Sequence, residues 1–317
     1  MDEFSLINTF FKSISHHRPD VIFGIGDDAA CLDVPPGMHL LVSCDTLVED
    51  VHFKSDWGAY NIACRAVMVN VSDIAAMGGT PCWATLALTL PTYDEAWLKS
   101  FSEGLHDSFA RYNIALIGGD TTRGPLSITL TIHGLVEKGR AIKRRGASVG
   151  DKIYISGELG AAALAVDVLA GPPIPEPDHT LLMKKLFHPN PRTDLQPFLQ
   201  AFATAAIDIS DGLSSDLNHV CSASGVGACL NADAIPLHPL VKHYERGAAL
   251  DFALHGGDDY ELCFTLAAKD EPQFKALLAT AGLSCYPIGV IEKEPGLRLK
   301  TSEGQMDSLD PGGYKHF

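Results

Sequence analysis

Pro35, Pro36 and Gly37 leave no room for a helix after the turn Gly24-Ile25-Gly26-Asp27-Asp28-Ala29-Ala30, which limits the folds open to the first part of the chain. Gly24, Gly26 and Ala29, with Asp45 further on, otherwise imitate the G-x-G-x-x-A fingerprint of dinucleotide-binding folds. That fingerprint works only where a helix opens at the turn and aims its N-terminal amides at a pyrophosphate. Proline lacks the amide hydrogen and breaks a helix interior, so the Rossmann reading is excluded. The turn is sharpened by glycines, which tolerate positive φ, and its two adjacent aspartates call for solvent or cations.

Apolar periodicity divides the rest of the chain into helices and strands. Phe4, Ile7, Phe10, Phe11 and Ile14 predict a short amphipathic helix. Strands are expected over 39–44, 83–90, 114–117 and 126–136, with helices over 60–77 and 94–112, the latter capped by Thr92 or Asp94. Lys138, Arg140, Lys143, Arg144, Arg145 and Gly146 form a basic, glycine-bearing connection. It separates an N-terminal domain, 1–137, from a C-terminal one, 151–317, with 138–150 as linker. The second domain is expected to contain strands over 151–156 and 206–209 and helices over 160–170, 181–187 and 195–205. A proline-stiffened loop spans 171–178, a helix starts near Leu213, and α/β or α+β structure continues through 260–266, 271–281 and 286–291. The expected fold class is α/β (α+β) in two domains.

Thirty-nine acidic against 24 basic residues give a net charge of −15, which argues against a nucleic-acid surface. Eight cysteines (31, 44, 64, 82, 221, 229, 263, 285) include no C-x-x-C pair and no zinc-like grouping with histidine, so reduced thiols are expected. The acidic start M-D-E-F carries no basic segment before an apolar run, and no window reaches the roughly 20 apolar residues of a membrane span. A cytoplasmic protein is expected.

Aspartate recurs in short glycine or serine segments: Asp27-Asp28, Ser43-Cys44-Asp45, Asp73, Gly119-Asp120 and Asp208-Ile209-Ser210-Asp211. One such segment is ordinarily a turn. If several converge, carboxylates about 4 Å apart repel by about 4 kcal/mol per pair at an effective dielectric of 20. They must then protonate or gain cations. An oxygen-only donor set favours Mg²⁺, and Mg²⁺ with several carboxylates commonly serves phosphoryl transfer. The Walker G-x-x-x-x-G-K-[ST] and the kinase H-R-D and D-F-G motifs are absent.

G-I-G-D-D-A-A, S-C-D-T, V-H-F, N-V-S-D-I-A-A-M-G, L-I-G-G-D-T-T-R-G, D-I-S-D-G-L, G-G-D-D-Y-E-L and the terminal G-Y-K-H-F occur in that order. Together they resemble the thiamine-monophosphate kinase family, within the superfamily that includes aminoimidazole ribonucleotide synthetase. The resemblance implies transfer of the ATP γ-phosphate to thiamine monophosphate, giving thiamine diphosphate and ADP. It implies a homodimer whose N-terminal sheets join into a barrel, and a C-terminal α/β domain with a mixed sheet. By matching position, Asp28, Ser43, Asp45, Asp73, Asp120, Asp208 and Asp211 resemble Mg²⁺ ligands, with Cys44 adding a backbone contact. Gly119, Asp120, Arg144 and Ser210 resemble ATP contacts; His52, Asp258 and Tyr314 resemble contacts to thiamine monophosphate. The family typically has threonine in place of Cys44 and glutamate in place of Asp258. No protein nucleophile is implied: catalysis is metal-assisted through Asp120 and Asp211. Another ATP-dependent synthetase of the superfamily, or a non-catalytic sensor of nucleotide or thiamine phosphate, is the alternative.

Overall fold

The computed structural model describes residues 3–14, 17–245 and 247–314. Lys315, His316 and Phe317 of the G-Y-K-H-F motif lie outside the described residues. Contacts divide the chain into two units, Met1–Ile74 with Gly79–Arg140 and Ala75–Gly78 with Ala141–Phe317.

The first unit opens with α1 (Glu3–Leu6), which runs on as a π-helical stretch over Ile7–Phe11 and a 3₁₀ turn over Lys12–Ile14. Leu6, Phe10 and Phe11 are its buried residues. β1 (Val21–Phe23) pairs antiparallel with β2 (Cys31–Leu32). The turn at 24–30 therefore closes a hairpin, and no helix follows it. Next come β3 (Met38–Val48), α2 (Ala59–Ala76), β4 (Thr80–Leu90), α3 (Glu95–Tyr112), β5 (Ala115–Arg123) and β6 (Ser127–Glu137). The strands form one sheet in the order β3-β6-β4-β5.

Two strands run further than their local sequence suggests. β3 does not end at Cys44 but pairs with β6 from Met38↔Glu137 to Val48↔Ser127, so Ser43 and Asp45 sit in mid-strand. β5 continues through the predicted turn at Gly118-Gly119-Asp120, because that segment lies parallel to β4, with Leu86 opposite Gly119 and Ala87 opposite Asp120. A register shift after Ala84 leaves Ile117 as a bulge residue. Cross-strand pairing overrides the turn propensity of glycine and aspartate here.

α2 is buried along most of its length, and Ile62, Ala63, Ala66, Val67 and Val71 are fully buried. Asp94, rather than Thr92, caps α3 by accepting from Trp97 N at 3.0 Å. The two helices touch at Gly104, where a Cβ would stand 2.4 Å from Tyr60 O and 2.9 Å from Ala63 Cβ.

The second unit contains β7 (Lys152–Ile155), α4 (Ala161–Ala170), α5 (Glu176–Phe187), α6 (Gln196–Phe202), β8 (Ala203–Asp208), α7 (Leu213–Ser224) and β9 (Gly227–Asn231). It continues with α8 (Pro239–Tyr244), α9 (Ala249–His255), β10 (Leu262–Leu266), α10 (Glu271–Thr280), β11 (Tyr286–Glu292), β12 (Gly296–Lys300) and β13 (Met306–Leu309). A seven-stranded mixed sheet runs in the order β13-β12-β9-β11-β7-β10-β8, with β12 and β9 parallel. Alternation gives it two apolar faces. Ile153, Ile155, Ile207 and Cys263 belong to one core cluster; Tyr154, Ala206, Phe264 and Leu266 belong to the other, with Leu199 and Phe274. The helix predicted over 195–205 is shorter, because Ala203 to Ala205 join β8 against β10. All eight cysteines are free thiols.

Gly104→Ala should lower stability by about 1–3 kcal/mol, the usual cost of an extra methyl in a tight core. A thermal melt equal to that of the parent would show that α2 and α3 can separate freely.

Candidate functional site

In the first unit, a cavity of about 730 Å³ gathers the hairpin turn 25–30 and the β5 segment 116–121. It brings Asp28 together with Gly119 and Asp120. Asp27 Oδ1 accepts from Asp28 N at 3.0 Å, so Asp27 orders the turn that presents Asp28. Gly119 has φ +154°, and a Cβ there would meet Leu86 O at 1.8 Å. Only glycine lets β5 approach β4 this closely.

A second group forms between β3 and α2. Alternation puts Leu41, Ser43, Asp45 and Leu47 on the covered face of β3 and Leu40, Val42, Cys44 and Thr46 on the exposed one. Ser43 Oγ donates to Asp73 Oδ2 at 2.5 Å. Asn70 is fully buried; its Oδ1 accepts from Asp45 N at 3.2 Å and its Nδ2 donates to Ala66 O at 2.9 Å. Burial, with the Asp73 charge beside it, pushes the Asp45 carboxyl up to about 6. Cys44 faces the other way and its sulfur accepts from Thr131 Oγ1 at 3.3 Å. Its thiol cannot join the Ser43–Asp45–Asp73 group, which leaves only its backbone for that role. His52 Nδ1 accepts from Val48 N at 3.0 Å, holding the turn that follows β3.

In the second unit, β8 ends at buried Asp208 and leads into a loop that carries Ser210 and Asp211 to the start of α7. The amides of Ser210, Asp211 and Gly212 all donate to Asp216 Oδ2, at 3.1, 3.1 and 3.2 Å. Asp216 was not singled out from sequence; a carboxylate in the first turn of a helix was the available signal. Against this loop packs the turn of Asp258 and Tyr260, both left-handed with φ +69° and +50°. Asp258 N donates to Ser210 O at 2.8 Å and Tyr260 Oη to Asp258 Oδ1 at 3.2 Å. Tyr314 N donates to Asp211 O at 3.2 Å. Asp208, Ser210, Asp211, Asp258 and Tyr314 thus share one neighbourhood. Arg144 is exposed on a strap beside β8, where Lys143 O accepts from Ala206 N at 3.1 Å.

Among the described residues, no group of three or more His, Cys, Asp or Glu side chains stands arranged as a metal cage. The donors fit a hard cation by chemistry: they are oxygens, and Asp45 and Asp73 crowd in a way that a positive charge relieves.

The chain matches the AIR synthase related protein N-terminal domain over residues 26–136 and the C-terminal domain over 148–302. The thiamine-monophosphate kinase of Salmonella typhimurium is 44% identical over 319 residues, covering 99% of this chain and 98% of that relative. The crystal structure of the thiamine-monophosphate kinase from Stenotrophomonas maltophilia superposes with TM-score 0.86 at 40% identity, covering 96% of this chain and 98% of that one. The structure of AaThiL complexed with AMPPCP and TMP has TM-score 0.80 at 30% identity, covering 90% and 89%.

Asp259 supplies a pH test of the second unit. Its carboxylate accepts from Gly160 N, which precedes α4, at 2.9 and 3.1 Å, and burial pushes its carboxyl up to about 8 against the pull of that amide. The folded value lies above the unfolded 3.8, so this stabilisation is full below about pH 4 and is lost as pH rises through about 8. Asp259→Asn keeps an oxygen acceptor and cannot titrate. Its thermal midpoint should fall less steeply over that window; parallel curves for variant and parent would count against the assignment.

Proposed function

The chain belongs to the thiamine-monophosphate kinase family of AIR synthase related proteins, and from that premise we propose how its residues carry the reaction. The activity is transfer of the ATP γ-phosphate to thiamine monophosphate, giving thiamine diphosphate and ADP. The observation that carries the site assignment is the meeting of Asp28, Gly119 and Asp120 on one cavity.

In the first unit Gly119 and Asp120 serve ATP and His52 serves thiamine monophosphate; in the second Arg144 and Ser210 serve ATP and Asp258 and Tyr314 serve thiamine monophosphate. In the first unit Asp28, Ser43, the Cys44 backbone, Asp45, Asp73 and Asp120 hold Mg²⁺, and in the second Asp208 and Asp211 do so. When bound, Mg²⁺ neutralises charge along the polyphosphate. Gly119 lets β5 lie against β4, and that pairing sets the backbone of Gly119 and Asp120 on the cavity wall. Arg144 offers planar paired donors to a phosphate. Tyr314, 49% exposed, offers an aromatic face and Asp258 a negative charge to the cationic thiazolium. The acceptor is an ionised phosphate oxygen, so no protein base or nucleophile is needed. The bond from the γ-phosphorus to its bridging oxygen breaks as the bond to the acceptor oxygen forms, directly and in line.

Residues 1–137 serve as the nucleotide, metal and dimerisation domain, 138–150 as linker and 151–317 as the second domain. Among the described residues no helix is long and apolar enough to cross a membrane, and we place the reaction in the cytoplasm. One face of the four-stranded sheet carries exposed apolar side chains, with Leu40 43% and Val42 58% exposed opposite Leu135 and His133. A second copy covers it, the two sheets closing into a barrel.

With ATP and Mg²⁺, Asp120→Asn and Asp211→Asn should each lower kcat on the order of 100-fold while leaving the metal-free melting temperature near that of the parent. A large loss of thermal stability without metal would make these aspartates structural, and a labelled phosphoprotein that turns over competently into product would overturn direct transfer. For the dimer, Val42→Lys puts a charge in the covered apolar row and should give monomers by light scattering; an unchanged dimer would move the interface elsewhere.

A further inference from the structure

Lys12 is the one cationic side chain among the described residues lining the 730 Å³ cavity, where Asp27, Asp28 and Asp120 are the anionic ones. The 3₁₀ turn Lys12–Ile14 carries it, and the buried rings of Phe10 and Phe11 anchor the preceding stretch. A carbon at the Cβ position of Gly26 would lie 3.5 Å from Lys12 Nζ, so the ammonium stands over the bare face of the hairpin turn. Gly26 has φ +122°, a conformation L side chains rarely adopt, and this keeps that face clear.

We infer that Lys12 is a nucleotide-positioning residue, whose ammonium engages the polyphosphate of ATP within this cavity. The inference rests on the assignment of the cavity to the nucleotide. Without ligand, the ammonium shares the cavity wall with these three carboxylates. When the carboxylates are engaged with cations and a polyphosphate enters, the same ammonium faces the incoming anion. Lysine suits that role: it is a compact charge with three donors on a flexible stem, able to follow phosphate oxygens without fixed bidentate geometry. Its place on a short irregular turn lets the N-terminal segment close one side of the cavity by charge as well as by packing.

The test compares Lys12→Met, Lys12→Arg and Asp120→Asn in the full chain. Lys12→Met should raise the KM for ATP about tenfold, the factor that corresponds to about 1.4 kcal/mol. The value of kcat should stay within about twofold, since uniform binding is lost rather than transition-state binding. The KM for thiamine monophosphate and the melting temperature should not move, because Lys12 is exposed. Lys12→Arg should recover most of the affinity. Titration with a non-hydrolysable ATP analogue and with adenosine should show the loss for the first ligand only, and it should shrink as salt screens the exposed charge. If Asp120→Asn weakens nucleotide binding and Lys12→Met does not, the role of Lys12 is wrong while the cavity assignment stands. If neither variant alters nucleotide binding, the cavity assignment fails and takes the inference with it. A rise in KM for both substrates, or a lowered melting temperature in Lys12→Met, would make Lys12 structural.

Discussion

The antiparallel ladder between β3 and β6 decides which way the polar side chains of β3 face. It runs without a break from Met38↔Glu137 to Val48↔Ser127. A slip of one residue would turn Ser43 and Asp45 away from α2 and expose Leu41 and Leu47, which are 8% and 4% accessible. Each of those leucines contributes about 1.5–3 kcal/mol by burial. Apolar residues thus fix the orientation of the polar ones between them. The same alternation turns Cys44 toward Thr131 and separates its thiol from its neighbours in sequence.

The second unit reaches a comparable definition by other means, because its polar residues lie on loops. Backbone meets backbone there: a Cβ on Gly257 would stand 2.3 Å from Ser210 O, and one on Gly313 would stand 2.4 Å from Asp211 O. Left-handed Asp258 and Tyr260 each cost on the order of 1–3 kcal/mol. Their amides donate to Ser210 O and Ile209 O, which holds the turn against the loop that carries Asp211. Asp216 completes the arrangement by collecting three amides on one oxygen. Without it those donors would lose their buried acceptor.

The identities of the polar residues were legible in the sequence, and their surroundings were not. The prolines after the first turn correctly forbade a helix, and the apolar periods found α2, α3, β4 and β6. Taken locally, the sequence around Asp45 and Asp120 points to turns, because aspartate and glycine favour them. Both belong to paired strands, whose partners β6 and β4 lie far along the chain. β9, β12 and β13 leave no clear local signal for a related reason: they are short, at five, five and four residues, and their pairing is non-local. Lys12 fell on the polar side of a helix read only for its apolar side, so nothing local distinguished it. The resemblance supplied roles for Arg144, His52 and Tyr314 that no spacing argument reaches.

Magnitudes explain how the crowded carboxylates of the first unit keep their places. Two ionised groups about 4 Å apart repel by about 4 kcal/mol at an effective dielectric of 20. The elements that hold Asp45 and Asp73 bury Val67, Val71, Ile74 and Leu47 at 4% exposure or less, each contributing about 1.5–3 kcal/mol. Packing of that size outweighs such a repulsion, and the Asp45 carboxyl is raised by its burial first and by the Asp73 charge second. Ser43 on Asp73 and Asn70 on the Asp45 amide then fix the local geometry. Held in this way, Asp45 and Asp73 keep their places without any rearrangement of β3 or α2, as preorganised charges must.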